Sequence, residues 1–386
     1  MKRILFFNDG MTMGGTEVLL VDLLNHLIKK EYKITLLLPQ PSSSNVLLER
    51  LSPGVTVSYL YSENISHIKK KVWENIMIFF PAFFIRKKKI MASDYDMVVC
   101  FKETFFARIF SKMPLPKILW IHNILYKREY EVNSIRDRIS VWLNKKQLKT
   151  VQRSYNSFDK VICVSDAAKE AYLDVLYDGC IPQQDIRVLY NALDLSKVKE
   201  KAKQPIDEIF SKDEVSFVLL TRTSPEKRTD RLILAANRLK SEGYKFRVYV
   251  IGEGMDSQGM RERVSQMGVE DVVLLRGRID NPFPYVLQSQ WSLCVSERES
   301  FSLALLESMA LGTSVITTDC GGPRNIVADG KYGLLVDNSA DGVYNGMKAV
   351  FDDSSLSVKY SERLSEAVAR FDYNGWLNSV EQLLNV

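Results

Sequence analysis

The segment Trp291-Ser292-Leu293-Cys294-Val295-Ser296-Glu297-Arg298-Glu299-Ser300-Phe301-Ser302-Leu303-Ala304-Leu305-Leu306-Glu307-Ser308-Met309-Ala310-Leu311-Gly312 holds one strand, one loop and one helix. Trp291–Val295 is short and apolar, as a strand buried on both faces must be. Leu303, Leu306 and Met309 then recur at helical spacing. Similar units run the length of the chain, the pattern of parallel sheets with crossover helices. The expected strands are Arg3–Phe7, Lys33–Leu38, Val55–Tyr59, Met97–Phe101, Ile118–His122, Val161–Ser165 and Arg187–Tyr190 in the first half. In the second they are Ser216–Thr221, Arg247–Ile251, Val272–Arg276, Trp291–Val295, Ser314–Thr318 and Gly333–Val336. Lys197–Pro205, polar and without pattern, is the expected linker between two doubly wound domains facing across a cleft. Ligands of such sheets bind beyond the carboxyl ends of the strands.

The 386 residues suit two domains, and 46% hydrophobic with 26% charged residues excludes long disorder, collagen and small disulfide scaffolds. No apolar run approaches the ~20 residues of a membrane span, and the opening strand-like run is too short for a signal peptide. Five cysteines lie far apart with no C-x-x-C pair, which favours a reduced, cytoplasmic setting. Three histidines without ligand spacing argue against structural zinc. The first 190 residues hold 28 Lys and Arg against 19 Asp and Glu, a formal +9, and the remainder carries −4. A basic first half suggests an anionic partner, either nucleic acid or a membrane surface.

Several loops follow strands and carry chemistry. Gly14-Gly15-Thr16-Glu17 opens a helix after the first strand, where glycines let backbone N–H groups approach an anion. A tight turn and a phosphate site fit this pair equally well. Thr221–Asp230 brings Arg222 and Lys227 to the end of a strand, where a fork and a point charge could hold a pyrophosphate. A solvated loop is the other reading. Glu307, among Leu303, Leu306 and Met309, needs a partner if buried. A vicinal diol would serve, as would an ion pair between helices. The amides of Ser302 and Leu303 at a helix start suit phosphate.

The Glu-x7-Glu spacing of Glu299 and Glu307, trailed by Gly321-Gly322-Pro323-Arg324-Asn325-Ile326-Val327, resembles the retaining nucleotide-sugar glycosyltransferases of family 4, which have the GT-B fold. Further segments match in order: Gly14–Glu17, Val164-Ser165, Tyr190–Asp194, Arg222 with Lys227, Gly252-Glu253-Gly254 and Asn281–Tyr285. The resemblance implies that Arg222 and Lys227 bind the donor diphosphate, Glu299 the sugar hydroxyls and Glu307 the ribose diol. It adds Gly14, Gly15, Phe301, Ser302 and Leu303 to the donor site. It makes His122, at a strand end, a catalytic residue with Arg222, Lys227 and Glu299. Ser300 and Ser302 stand where many relatives have glycine, which narrows the space beside the sugar, and Ala192 replaces a commoner glycine. His26 and His67 lack such context.

The implied domains are 1–192 with a returning C-terminal helix, 372–386, for the acceptor, and 193–371 for the nucleotide sugar. The implied reaction moves a hexose or N-acetylhexosamine, UDP-linked by preference, to a glycan acceptor. A polyprenyl-diphosphate-linked acceptor in bacterial surface polysaccharide synthesis is favoured. No cofactor and no metal are expected. Asp94-Tyr95-Asp96 opens a strand at its amino end, away from the site. Lys69, Lys70 and Lys71 with Trp73, and Arg86, Lys87, Lys88 and Lys89, flank an apolar run interrupted by Pro81. That stretch cannot span a bilayer but suits its interface. A buried helix pair with solvated basic ends is the alternative. The expected partners are therefore donor, acceptor and anionic membrane, without nucleic acid, at the inner face of the plasma membrane. A sugar-nucleotide epimerase of the same fold and a non-catalytic membrane-associated protein remain alternatives. A dinucleotide oxidoreductase is disfavoured by the incomplete glycine fingerprint.

Overall fold

The computed structural model describes residues 1–63, 65–126, 135–208 and 210–385. The chain packs as two compact units, Met1–Tyr190 with Leu377–Val386, and Asn191–Trp376. In the first, strands β1 (Arg3–Phe7), β2 (Lys33–Leu38), β3 (Thr56–Tyr59), β4 (Met97–Cys100), β5 (Lys117–Ile121), β6 (Lys160–Cys163) and β7 (Asp185–Val188) form one parallel sheet. Its order is β3-β2-β1-β4-β5-β6-β7. In the second, β8 (Val215–Leu220), β9 (Phe246–Ile251), β10 (Val273–Gly277), β11 (Trp291–Cys294), β12 (Ser314–Thr318) and β13 (Leu334–Val336) form another, ordered β10-β9-β8-β11-β12-β13. Both are Rossmann-like, and strand order reverses between β1 and β4 and between β8 and β11. Those two points are where such sheets bind ligands.

Burial on both faces explains the unbroken apolar runs. Phe217 and Leu219 of β8 pack with Leu232, Leu239 and Met347 on one face, and Val218 packs with Tyr249 and Val286 on the other. Four of the five cysteines are buried and none is bonded to another.

Two local expectations are corrected. The segment 197–205 is not a plain linker, because Leu195–Lys201 is a helix. Asp194 accepts from the Ser196 amide at its start, and Val198 is buried; two turns are too short to show a period. Second, strands end earlier than their apolar runs. Phe101, His122, Ser165, Thr221 and Val295 fall just past the last ladder pairs of β4, β5, β6, β8 and β11. Asp94–Asp96 lies just ahead of the amino end of β4, as expected, and Asp96 is a structural partner of Arg3, whose guanidinium donates to it at 2.7 Å and holds its carboxyl down at about 2.

The helix Tyr373–Leu384 carries the chain back to the first unit. There Glu381 meets His26 Nε2 at 2.6 Å, and Tyr32 donates to Asn385 at 2.9 Å.

Candidate functional site

The β8–β11 switch point carries the loops quoted above. Beyond β8 the chain passes Arg222 and enters a single helical turn, Pro225–Lys227. Beyond β11 it passes Glu297 and Glu299 before the helix Leu303–Ala310. Main-chain bonds tie the two loops together, since Glu297 N–H donates to the Glu226 carbonyl at 2.8 Å. Lys227 Nζ consequently forms an ion pair with Glu299, and both side chains are largely withdrawn from solvent. Burial lowers the Lys227 pKa most, but the charge and hydrogen bond of Glu299 together with the Cys294 sulfur outweigh it, and the net shift is upward. Arg222 stands outside this pair, its side chain 68% exposed and 3.8 Å from Glu226.

Glycines set the loop heights. Gly252, at φ +147°, lies against the Thr221 carbonyl where no Cβ fits, so the ends of β8 and β9 close together. Gly321 has φ +108°, and Gly322 lies against the Ser300 carbonyl. Around them Glu299 N–H donates to Cys320 O at 2.8 Å and Gly322 N–H donates to Glu299 O at 2.7 Å. The Gly-Gly-Pro-Arg run is thus a backbone clamp on the Glu299 loop. A buried arginine braces the same loop. Arg231 donates to Val295 O and Ser296 O at 3.4 Å, and Asn338 donates to Glu297 O at 2.9 Å.

Ser302 caps the next helix, its Oγ accepting from Leu305 N–H. The first-turn amides beyond it have no intrahelical acceptor. Phe301 is buried edge-on to Phe371 at 5.5 Å, so it offers a ligand main chain rather than ring. The carboxyl of Glu307 makes no hydrogen bond or ion pair among the described residues. Loss of hydration, opposed only by Lys201, pushes its carboxyl up to about 8. It is the partly covered carboxyl without a protein partner that the sequence pointed to.

In the first unit, the Gly15–Lys29 helix begins after Gly14 with no side-chain cap. Glu17, in its first turn, folds its carboxylate back against Gly14 and meets Lys102 at 3.3 Å; Lys102 also meets Asp9 at 3.2 Å. His122, just past β5, is buried with its ring 4.9 Å from Phe101. Burial, with Lys102 nearby, pushes its imidazole down to about 3, so it is neutral. The His122 main-chain N–H donates to Glu103 Oε2 at 2.7 Å, and Asn123 Nδ2 donates to Oε1. Lys102, Glu103 and Arg231 were not singled out from sequence. A charged pair directly after the apolar run Met97–Phe101 was the available signal.

The run 69–89 folds as two helices, His67–Phe79 and Pro81–Lys87. Trp73 and Lys88 turn inward: Lys88 Nζ lies 4.6 Å from the Tyr61 ring and 5.2 Å from that of Trp73. Lys70 donates to Gln40 at 3.0 Å. Lys69, Lys71, Arg86, Lys87 and Lys89 are exposed, as are Ile68, Val72, Phe79, Phe80 and Phe83. A second basic segment, Lys127 to Lys160, also bears on a membrane surface, and its residues 127–134 lie outside the described residues. Trp142 in the helix Ile135–Tyr155 is exposed, with Lys146 Nζ 5.1 Å over its ring.

Two family models divide the chain between them. "Glycosyltransferase Family 4" matches residues 13–197 and "Glycosyl transferases group 1" matches 200–370. The chain belongs to glycosyltransferase family 4. The N-acetylgalactosamine-N,N'-diacetylbacillosaminyl-diphospho-undecaprenol 4-alpha-N-acetylgalactosaminyltransferase of Campylobacter jejuni is 29% identical over 202 residues, covering 52% of this chain and 53% of that protein. The phosphatidyl-myo-inositol mannosyltransferase of Mycolicibacterium smegmatis is 26% identical over 218 residues, with 55% and 53% covered. The chain thus spans about half the length of these curated relatives. The crystal structure of Anabaena HepE in complex with UDP and glucose matches over 100% of both chains with a TM-score of 0.74 at 18% identity. That likeness shows the GT-B fold for this family 4 member.

Proposed function

We propose that the chain is a retaining, metal-independent glycosyltransferase that moves a hexose or N-acetylhexosamine from a nucleotide sugar to a lipid-linked glycan acceptor. The observation that carries the proposal is the partly buried Lys227–Glu299 pair, set beside Arg222 and a helix start at the β8–β11 switch point. An acid that can accept from sugar hydroxyls and a cation that can face phosphate are held in contact. Donor binding divides their work. Lys227 and Arg222 turn to the diphosphate with the first-turn amides after Ser302, Glu299 takes sugar hydroxyls, and Glu307 accepts from the ribose diol. As the glycosidic bond breaks, charge grows on the diphosphate, and the cations and amides stabilise it. With no second carboxylate assigned as nucleophile, the acceptor attacks the face that the diphosphate leaves. The family resemblance gives His122, Gly14 and Gly15 roles at the donor sugar and phosphates.

UDP is the preferred carrier, supported by the UDP complex of HepE. The undecaprenol-linked acceptor in the Campylobacter relative's name supports a polyprenyl-diphosphate acceptor in surface polysaccharide synthesis. The exposed face of Ile68, Val72, Phe79, Phe80 and Phe83 with its five exposed cations suits an anionic membrane at the cytoplasmic side. No nucleic acid partner is proposed.

The test is incubation of the full chain with a panel of UDP-hexoses and UDP-N-acetylhexosamines and polyprenyl-diphosphate-linked sugars. Transfer with the donor's anomeric configuration kept is expected, and Lys227→Ala should slow it about 100-fold or more. Inverted product, unchanged turnover in Lys227→Ala, or isomerised donor without transfer would reject the proposal. The last outcome would mark an epimerase.

A further inference from the structure

Lys102 and Glu103 follow β4, the strand beside β1 at the first sheet's switch point. Their side chains reach in different directions. Lys102 binds Glu17 at 3.3 Å and Asp9 at 3.2 Å, and the Glu17 carboxylate lies against Gly14. Glu103 is buried and uses one oxygen for the main-chain N–H of His122, at 2.7 Å, and the other for the Asn123 side-chain amide. Two residues adjacent in sequence therefore hold the two first-unit features to which the proposed function gives donor roles.

We propose that Lys102 and Glu103 form a bracket of positioning residues, Lys102 for the Gly14–Gly15 turn and Glu103 for His122. The inference rests on the glycosyltransferase reading for its kinetic consequences and on geometry alone for its structural ones. Burying a carboxyl where an apolar residue would pack is unfavourable unless both oxygens are engaged, and here both are engaged on the residues that follow β5. Burial holds the Glu103 carboxyl up at about 7; its titratable surroundings are Lys102, His122, Tyr155 and Cys163. Lys102 does different work. It neutralises a carboxylate at the position where the family resemblance brings donor phosphate, so its loss leaves like charges facing one another.

The two residues should consequently fail in different ways. Glu103→Gln keeps the volume but gives up one of the two acceptors, and displacing His122 should lower kcat about tenfold or more. Donor KM should stay within about twofold. Lys102→Met should raise donor KM about tenfold with kcat nearly unchanged, and Lys102→Arg should restore it. A melting temperature near wild type in each variant separates positioning from unfolding. Wild-type kinetics in both variants, or the same kcat and KM loss in both, would overturn the bracket. If the wild-type chain transfers no sugar, the proposed function fails and the bracket is decided by NMR of the three histidines. The His122 ring signals must then shift in Glu103→Gln while those of His26 and His67 stay, and an unchanged His122 spectrum overturns it.

Discussion

Glu307 is a carboxyl that the folded chain prefers to keep protonated. Lost hydration raises it to about 8, whereas a glutamate in an unfolded chain titrates near ~4.3. The native state therefore holds this proton over a range where the unfolded state has lost it. Its contribution to stability is complete below about 4.3 and is lost as pH rises through about 8. Melting temperatures should fall between pH 5 and 8, and Glu307→Gln, which carries no proton to lose, should flatten that fall by a few degrees. Ligand binding should run the other way. A ribose diol donating to the ionised carboxylate favours loss of the proton, so UDP should bind more tightly at pH 8 than at pH 6, and Glu307→Gln should remove the trend. Identical pH slopes in the two proteins, measured by calorimetry, would remove Glu307 from the nucleotide site.

At the scale of elements, the Glu299 loop is held mostly by backbone from elsewhere. Gly322 sits against the Ser300 carbonyl, and backbone cannot swing aside as a side-chain tip can. Gly322→Ala should therefore displace residues 299–302, destabilise the chain by about 1–3 kcal/mol and weaken UDP binding about tenfold or more. Gly259 in the helix Gln258–Gln266 has open space around it. Gly259→Ala should stabilise by about 0.5–1 kcal/mol and leave UDP binding alone; equal effects at both sites, read by thermal shift with and without UDP, would dismiss the clamp. The same contrast explains what could be read from sequence. The strands, the fold and the residues Arg222, Lys227, Glu299 and Glu307 announce themselves through local runs and short spacings. Glu103 does not, because its partner His122 follows β5, and only the sheet brings the two strand ends together. Arg231 escapes for the same reason, its acceptors lying beyond β11. The Leu195–Lys201 helix escapes because two turns with one buried valine make no pattern.

For the whole molecule, the excess of cations in the first 190 residues acquires a location in the helices His67–Phe79 and Pro81–Lys87. Ile68, Val72 and Phe79 recur at intervals of four and seven and so share a helix face. With Phe80 and Phe83 they are each more than half exposed, which is unusual for large apolar side chains gathered in one short segment. Lys69, Lys71, Arg86, Lys87 and Lys89 stand among them in solvent. Two forces would then hold the chain to an anionic bilayer, and salt separates them. Each cation near the surface is worth about 1 kcal/mol and is screened within a Debye length, while the apolar contribution does not depend on screening. On phosphatidylglycerol-containing vesicles, Lys87→Glu with Lys89→Glu should remove most binding at low salt and change little at high salt. Phe79→Ser with Phe80→Ser and Phe83→Ser should remove the part that survives high salt. Lys88, enclosed by Tyr61, Trp73 and Phe84, belongs to neither set, and Lys88→Glu should lower the melting temperature instead of tuning binding. Wild-type sedimentation with vesicles by both surface variants would detach this face from the membrane, leaving its exposed aromatics to some other partner.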